Sequence, residues 1–154
     1  MAIMVAQNAS LDNYLYTYHG GCTCGYTTVV LHTNQPPEAF VPRTDVPFCG
    51  FCCEHDGVWI SDSAGLLVFN PTVQETTVQQ FASGTAAFHF CGQCKTLCVA
   101  TISQPVPKAV VRVVLLPDIA HNAQPVAVRN LNDETPSERE NRRVQHWTPW
   151  CYIT

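Results

Sequence analysis

The chain has 154 residues, of which 46% are hydrophobic and only 13% charged, with a formal charge of −4 and eight Lys and Arg side chains. That length buries a real core without staples. The thin basic complement excludes the electrostatic footprint of a nucleic-acid binder, and no stretch approaches the roughly 18 apolar residues of a membrane helix. The low charged fraction leaves apolar surface for a partner subunit, as in a homodimer. Residues 1–10 lack the basic start and long apolar block of a secretory signal. Nine cysteines in such a chain argue for a reducing, cytoplasmic setting and for metal ligation over a disulfide framework.

In chain order the pattern is strands and turns. Tyr14 to His19 is aromatic and β-branched, Gly20-Gly21 turns the chain, and Tyr26 to Leu31 reads as the return strand. This hairpin carries Cys22 and Cys24 at its tip. Residues 35–47 hold four prolines and read as an irregular connection. Val58–Ile60 and Leu66–Phe69 are short apolar strands around a Ser-Asp-Ser-Ala-Gly turn. Thr85 to Phe90 leads into Cys91-Gly92-Gln93-Cys94, and Leu97 to Ile102 leads out. Ala109 to Leu116 is the longest strand candidate, fit for the centre of a sheet. Ser137 to His146 is the one helix, opened by a capping box of Ser137 with Glu140. Without internal repeats or a dividing linker, residues 1–154 read as one mainly-β domain.

The two cysteine pairs, about 70 residues apart, each sit in a tight turn between apolar runs. Four thiolates from two such knuckles make a closed tetrahedral zinc site of the structural kind. Cys22, Cys24, Cys91 and Cys94 are its ligands. The alternative, four cysteines packed as small hydrophobes, fits paired knuckles poorly. A third cluster, Cys49-Gly-Phe-Cys52-Cys53-Glu54-His55, suggests a second, chemically different centre.

These residues also carry a resemblance. His19-Gly-Gly-Cys-Thr-Cys-Gly25, Phe51-Cys-Cys-Glu-His55, Ser61-Asp-Ser-Ala-Gly-Leu66 and Phe81-Ala-Ser-Gly-Thr85 stand in this order along the chain. Phe88-His-Phe-Cys-Gly-Gln-Cys94 and the tail Arg142 to Pro149 complete the series. The chain thereby resembles, nearly end to end, the glutathione-dependent formaldehyde-activating enzyme and centromere protein V family. The resemblance implies a β-tent zinc-binding fold of stacked antiparallel sheets with a short C-terminal helix, its core about residues 14–150. It also implies structural zinc on Cys22, Cys24, Cys91 and Cys94, and a second zinc with an open position held by a Cys-x-Cys-x-x-Cys pattern.

On this chain the last two of those three cysteines fall on Cys49 and Cys52, and the first on Pro47, which ligates nothing. Either Cys53 or His55 then supplies the third ligand, or the second metal is weak, different or absent. His55 is better placed, three residues after Cys52, because adjacent side chains point apart. Such a centre activates a substrate thiol. That matches zinc-dependent carbon–sulfur lyase chemistry, or a derived isomerase, on a small-molecule adduct of glutathione or another thiol. The site is diverged from formaldehyde activation and suited to specialised metabolism. Glu54 and Asp56 flank His55 as candidates for orientation or proton transfer, with solvated loop carboxylates as the plainer reading. A non-catalytic zinc scaffold that binds a protein partner is the alternative function, and Pro47 favours it. His89, Cys98, Cys151, Trp147 and Trp150 read as packed residues. Arg139, Arg142 and Arg143 read as a solvated helix face, or as holders of the carboxylates of a glutathione-like substrate.

Overall fold

The computed structural model describes residues 13–46, 56–70, 76–80 and 86–152. Strand pairing begins at the first cysteine turn. β1 (Tyr16–Gly21) lies antiparallel to β2 (Thr28–Thr33), with Tyr16 opposite Thr33 and Gly21 opposite Thr28. Both strands start two residues later than the sequence pattern suggests. Ahead of β1, the Leu15 N–H is taken by the Asn34 side chain at 2.9 Å. Ahead of β2, the turn consumes Tyr26 and Thr27, because the Thr27 N–H donates to Cys22 Sγ at 3.3 Å.

The chain then makes a 3-10 turn, Pro37–Ala39, and a two-residue strand β3 (Arg43–Thr44). β3 pairs antiparallel with β4 (Val58–Ile60), and β2 pairs antiparallel with β5 (Leu66–Asn70). β6 (Thr76–Gln80), β7 (Ala87–Cys91), β8 (Leu97–Ile102) and β9 (Lys108–Arg112) form an antiparallel run. Residues 109–116 are therefore not one long strand. After Arg112 a 3-10 turn, Val113–Leu115, and the short helix α1 (Pro117–Ala120) bury Leu115, Leu116 and Ile119. Pro117 lacks the N–H that a continuing ladder requires.

A further pair, β10 (Ala127–Val128) with β3, is parallel. The second helix, α2, spans Pro136–His146. Its capping box is Thr135 with Glu138, two residues before the expected pair, since Pro136 is preorganised for the first helical position.

β11 (Thr148–Tyr152) ties the molecule together. Thr148 and Pro149 pair antiparallel with β9, whereas Trp150 to Tyr152 pair parallel with β5. β9 meanwhile pairs with β8 on one edge and with β4 and β11 on the other. The result is a mainly-β fold, a curled mixed sheet with a short helix near its C-terminal end. The parallel β5–β11 and β3–β10 pairings depart from a wholly antiparallel arrangement.

β9 also separates two apolar cores. Ala109 and Val111 join Tyr18, Val29, Leu31, Leu67, Phe69 and Trp150 on one side. Val110 joins Trp59, Phe90, Leu97, Ala100, Ile102 and Trp147 on the other. Gly20 lets the segment after β9 settle on β1: a Cβ there would run into the Leu115 carbonyl. No helix among the described residues is long and apolar enough to cross a membrane.

Candidate metal centre

The two cysteine turns are hairpin tips held closed by their own backbones. In the first, Cys22 N–H donates to Thr27 O and Gly25 N–H to Cys22 O, each at 3.0 Å. Gly25 takes φ 78°, a left-handed conformation that glycine adopts without steric cost. In the second, Cys91 N–H donates to Thr96 O and Lys95 N–H to Cys91 O, each at 2.9 Å. Here Lys95 takes the left-handed position, φ 65°, and its ammonium reaches back to Gly92 O at 2.8 Å. The tips also touch through the Thr23 and Thr96 hydroxyls, 3.2 Å apart.

These turns bring four sulfurs from distant parts of the chain to one point. The Sγ atoms of Cys22, Cys24, Cys91 and Cys94 all lie within 4.8 Å of one another. Cys22 to Cys24 is 3.6 Å and Cys24 to Cys91 is 3.7 Å. Thiolates bound at about 2.3 Å to a central tetrahedral ion stand about 3.8 Å apart. Disulfide sulfurs would stand about 2.05 Å apart, and all four cysteines are free thiols. The donor set therefore fits a metal ion.

Electrostatics agree with the geometry. At Cys94 burial opposes ionisation, but the hydroxyl and backbone of Thr96 and the contacts with Cys24 bring its pKa down to about 5. Cys91 is likewise lowered, against burial, by backbone hydrogen bonds from Cys94 and Gln93 and by Thr27. At Cys24 the Tyr26 backbone favours the thiolate, yet burial and the neighbouring thiols Cys94, Cys22 and Cys91 push it up to about 12. Four sulfurs this close cannot all carry charge without a cation among them.

No protein-family model matches the chain, and no curated protein matches it. The chain is similar to a Rhodobacter sphaeroides protein of known crystal structure, with 18% sequence identity over 86% of this chain and 98% of that one and a TM-score of 0.47. The metal-centre reading rests on the cysteines themselves.

Other candidates distribute as follows. Cys49, Cys52, Cys53, Glu54 and His55, with Pro47, lie outside the described residues. Asp56 is described: its backbone has φ 51°, and its carbonyl accepts from Arg112 Nη2 at 3.4 Å. Cys98 is buried, donates to Thr96 O at 3.3 Å, and is pushed up to about 12 by burial and by Cys22, Cys91 and Cys94. It is a neutral core thiol beside the cluster. Cys151 is half-buried, while Trp147 and Trp150 are buried.

Arg139, Arg142 and Arg143 are not a freely solvated face. Arg142 grips Glu134 with two bonds of 2.7 and 3.0 Å, and Arg139 lies 3.8 Å from the same carboxylate. Arg143 stacks over Trp147, 5.1 Å from the ring centroid. Sequence reasoning missed Arg43 and Arg129, which the fold brings beside this helix. Nothing in the local pattern of a two-residue strand and a loop marked them.

His89 faces away from Phe88 and Phe90, as strand alternation requires. It is buried against Phe69 and Trp150, with Nε2 2.8 Å from Thr101 Oγ1. Burial holds its pKa down to about 4, against about 6.5 in an unfolded chain. The fold thus excludes a proton that the unfolded state accepts. The associated stability is complete above pH about 6.5, falls as the pH drops toward 4, and levels off below. The total is about 3 kcal/mol. Urea titrations of wild type and His89→Gln between pH 7 and 4.5 check this. The wild type is expected to lose more stability with acid than the variant does, and parallel pH profiles would refute the assignment.

Proposed function

We propose that the four-cysteine cluster holds zinc as a structural clasp and that the chain is a zinc-dependent enzyme of the carbon–sulfur lyase type. The substrate class is a small-molecule thiol adduct, and the fold is that of the β-tent family the sequence resembles. The convergence of Cys22, Cys24, Cys91 and Cys94 within 4.8 Å carries the clasp. Its ligand set is complete, so it serves as scaffold and leaves no position for substrate.

The catalytic reading places the reacting centre in residues 47–55, and the contacts of the described residues on either side support it. Thr44 Oγ1 donates to Gly57 O at 2.9 Å and closes the base of the connection between β3 and β4. Arg112 then spans from the Asp56 carbonyl to the Leu97 carbonyl, at 3.4 and 3.1 Å. Leu97 follows the second cysteine turn directly. Asp56, at the start of the next described stretch, is therefore linked by one guanidinium to the strand that leaves the second cysteine turn. Cys49, Cys52 and His55 would hold a second zinc, with Cys53 as the alternative third ligand and Glu54 beside it. An ion so held supplies Lewis acidity and favours the thiolate form of a bound substrate thiol.

Metal content of the pure protein tests this proposal. Two zinc ions per chain, falling to one in Cys49→Ala and in His55→Ala, is the expected result. With the second site established, turnover of thiol adducts should disappear in Cys52→Ala while the fold persists. One zinc, unchanged in both variants, would replace the enzyme by a scaffold that binds a protein partner. That second reading is favoured by Pro47, which stands at a position where the resembled family has a ligand.

A further inference from the structure

Five of the chain's eight basic side chains gather around α2 and the β3 edge: Arg43, Arg129, Arg139, Arg142 and Arg143. Helical spacing divides the cluster. Arg142 and His146, four apart, face one cavity of about 280 Å³ that Arg43, Arg129 and Trp147 complete. Arg139, Glu140 and Arg143 face a neighbouring one.

Three carboxylates here are already committed. Glu134 serves Arg142 and Arg139 together, Asp45 lies 3.4 Å from Arg129, and Glu138 caps the helix. Arg43 is left without one: among the described residues no carboxylate lies within ion-pair distance of it. Its Nη2 donates to the neutral Ser61 hydroxyl at 2.6 Å, and its buried Nε–H has no partner. Ser61 in turn donates to His146 O at 2.7 Å, which fixes the guanidinium on the cavity wall. Burial and repulsion from Arg129 and Arg142 bring the Arg43 pKa down to about 10, despite Asp45. A guanidinium remains charged at neutral pH even so, and a half-buried cation without a counter-ion is unfavourable.

We propose that the cavity between β3, Arg129 and α2 is a binding site for a small oxyanion, a carboxylate or phosphate group, seated on Arg43, Arg129 and Arg142 beside the Trp147 ring. Guanidiniums recognise such groups through paired N–H donors. The cavity is slightly smaller than the roughly 300 Å³ where drug-sized pockets begin, which suits a compact ligand. None of its residues belongs to the cysteine cluster or to residues 47–55.

Calorimetric titration and thermal melts of the full chain, with inorganic phosphate and succinate as separate probes against chloride of equal ionic strength, test the proposal. At least one probe is expected to bind with a Kd at or below the millimolar range and to raise Tm. Arg43→Gln should weaken that binding at least tenfold. Preference for phosphate over succinate, or the reverse, names the oxyanion, and either upholds the site. Should Arg43→Gln fail to fold, Arg129→Gln decides by the same criterion, since its ion pair is partly exposed. No response to either probe beyond chloride overturns the proposal. So does binding in the folded variants within twofold of wild type.

Discussion

Cys91→Ser is expected to abolish metal binding and to unfold the protein at room temperature. Cys91 is fully buried at the meeting point of the two hairpins and joins sulfurs that the chain separates by 67 residues or more. Binding of a structural zinc contributes about 10–16 kcal/mol in small metal domains, as much as the whole stability of an ordinary domain, about 5–15 kcal/mol. A strong chelator should reproduce the effect in wild type. Cys98→Ser is the control. Its thiol is equally buried but stands outside the ligand set, so this variant should keep its metal and lose only packing. Metal analysis with far-ultraviolet circular dichroism reads both outcomes. A Cys91→Ser protein that keeps metal and fold would remove the clasp.

Trp150→Ala is expected to cost about 3–5 kcal/mol, the range for emptying a large aromatic site. Trp150 packs against Phe69 at 5.5 Å between ring centroids and near His89 at 6.4 Å. Its Nε1–H donates to Ile102 O at 3.3 Å, across from β11 to the end of β8. Alanine leaves a cavity and one buried carbonyl with a bond fewer. Trp150→Phe restores most of the volume but not the donor, so about 1–2 kcal/mol should remain missing. Urea midpoints of the three proteins check the series, and a loss below about 1 kcal/mol for alanine would show the site collapsing freely.

The sequence made the cysteine turns legible because their signals are local: two cysteines, a glycine and flanking apolar runs within a few residues. β4 and β8 matched their apolar patterns residue for residue, at Val58–Ile60 and Leu97–Ile102. The run from Ala109 to Leu116 misled, since continuous apolar character marks burial and not extension. Its second half is buried by a 3-10 turn. The strands β3, β6, β10 and β11 were missed. β11 carries a proline at position 149 and takes its form from partners 39 to 83 residues away. Of the arginine cavity only the helix side, with Arg142, was legible, because its other walls come from residues 43 and 129, far away in the chain. Long-range pairing leaves no periodic trace.

The dual role of β11 bears on assembly during synthesis. Both cysteine hairpins precede it by a wide margin, so a nascent chain can capture its ion before residues 148–152 leave the ribosome. The parallel seat beside β5 must stay open meanwhile, offering unpaired backbone and the apolar wall that Trp150 later covers. An early intermediate, clasped but unsealed, would be the species most in need of a chaperone.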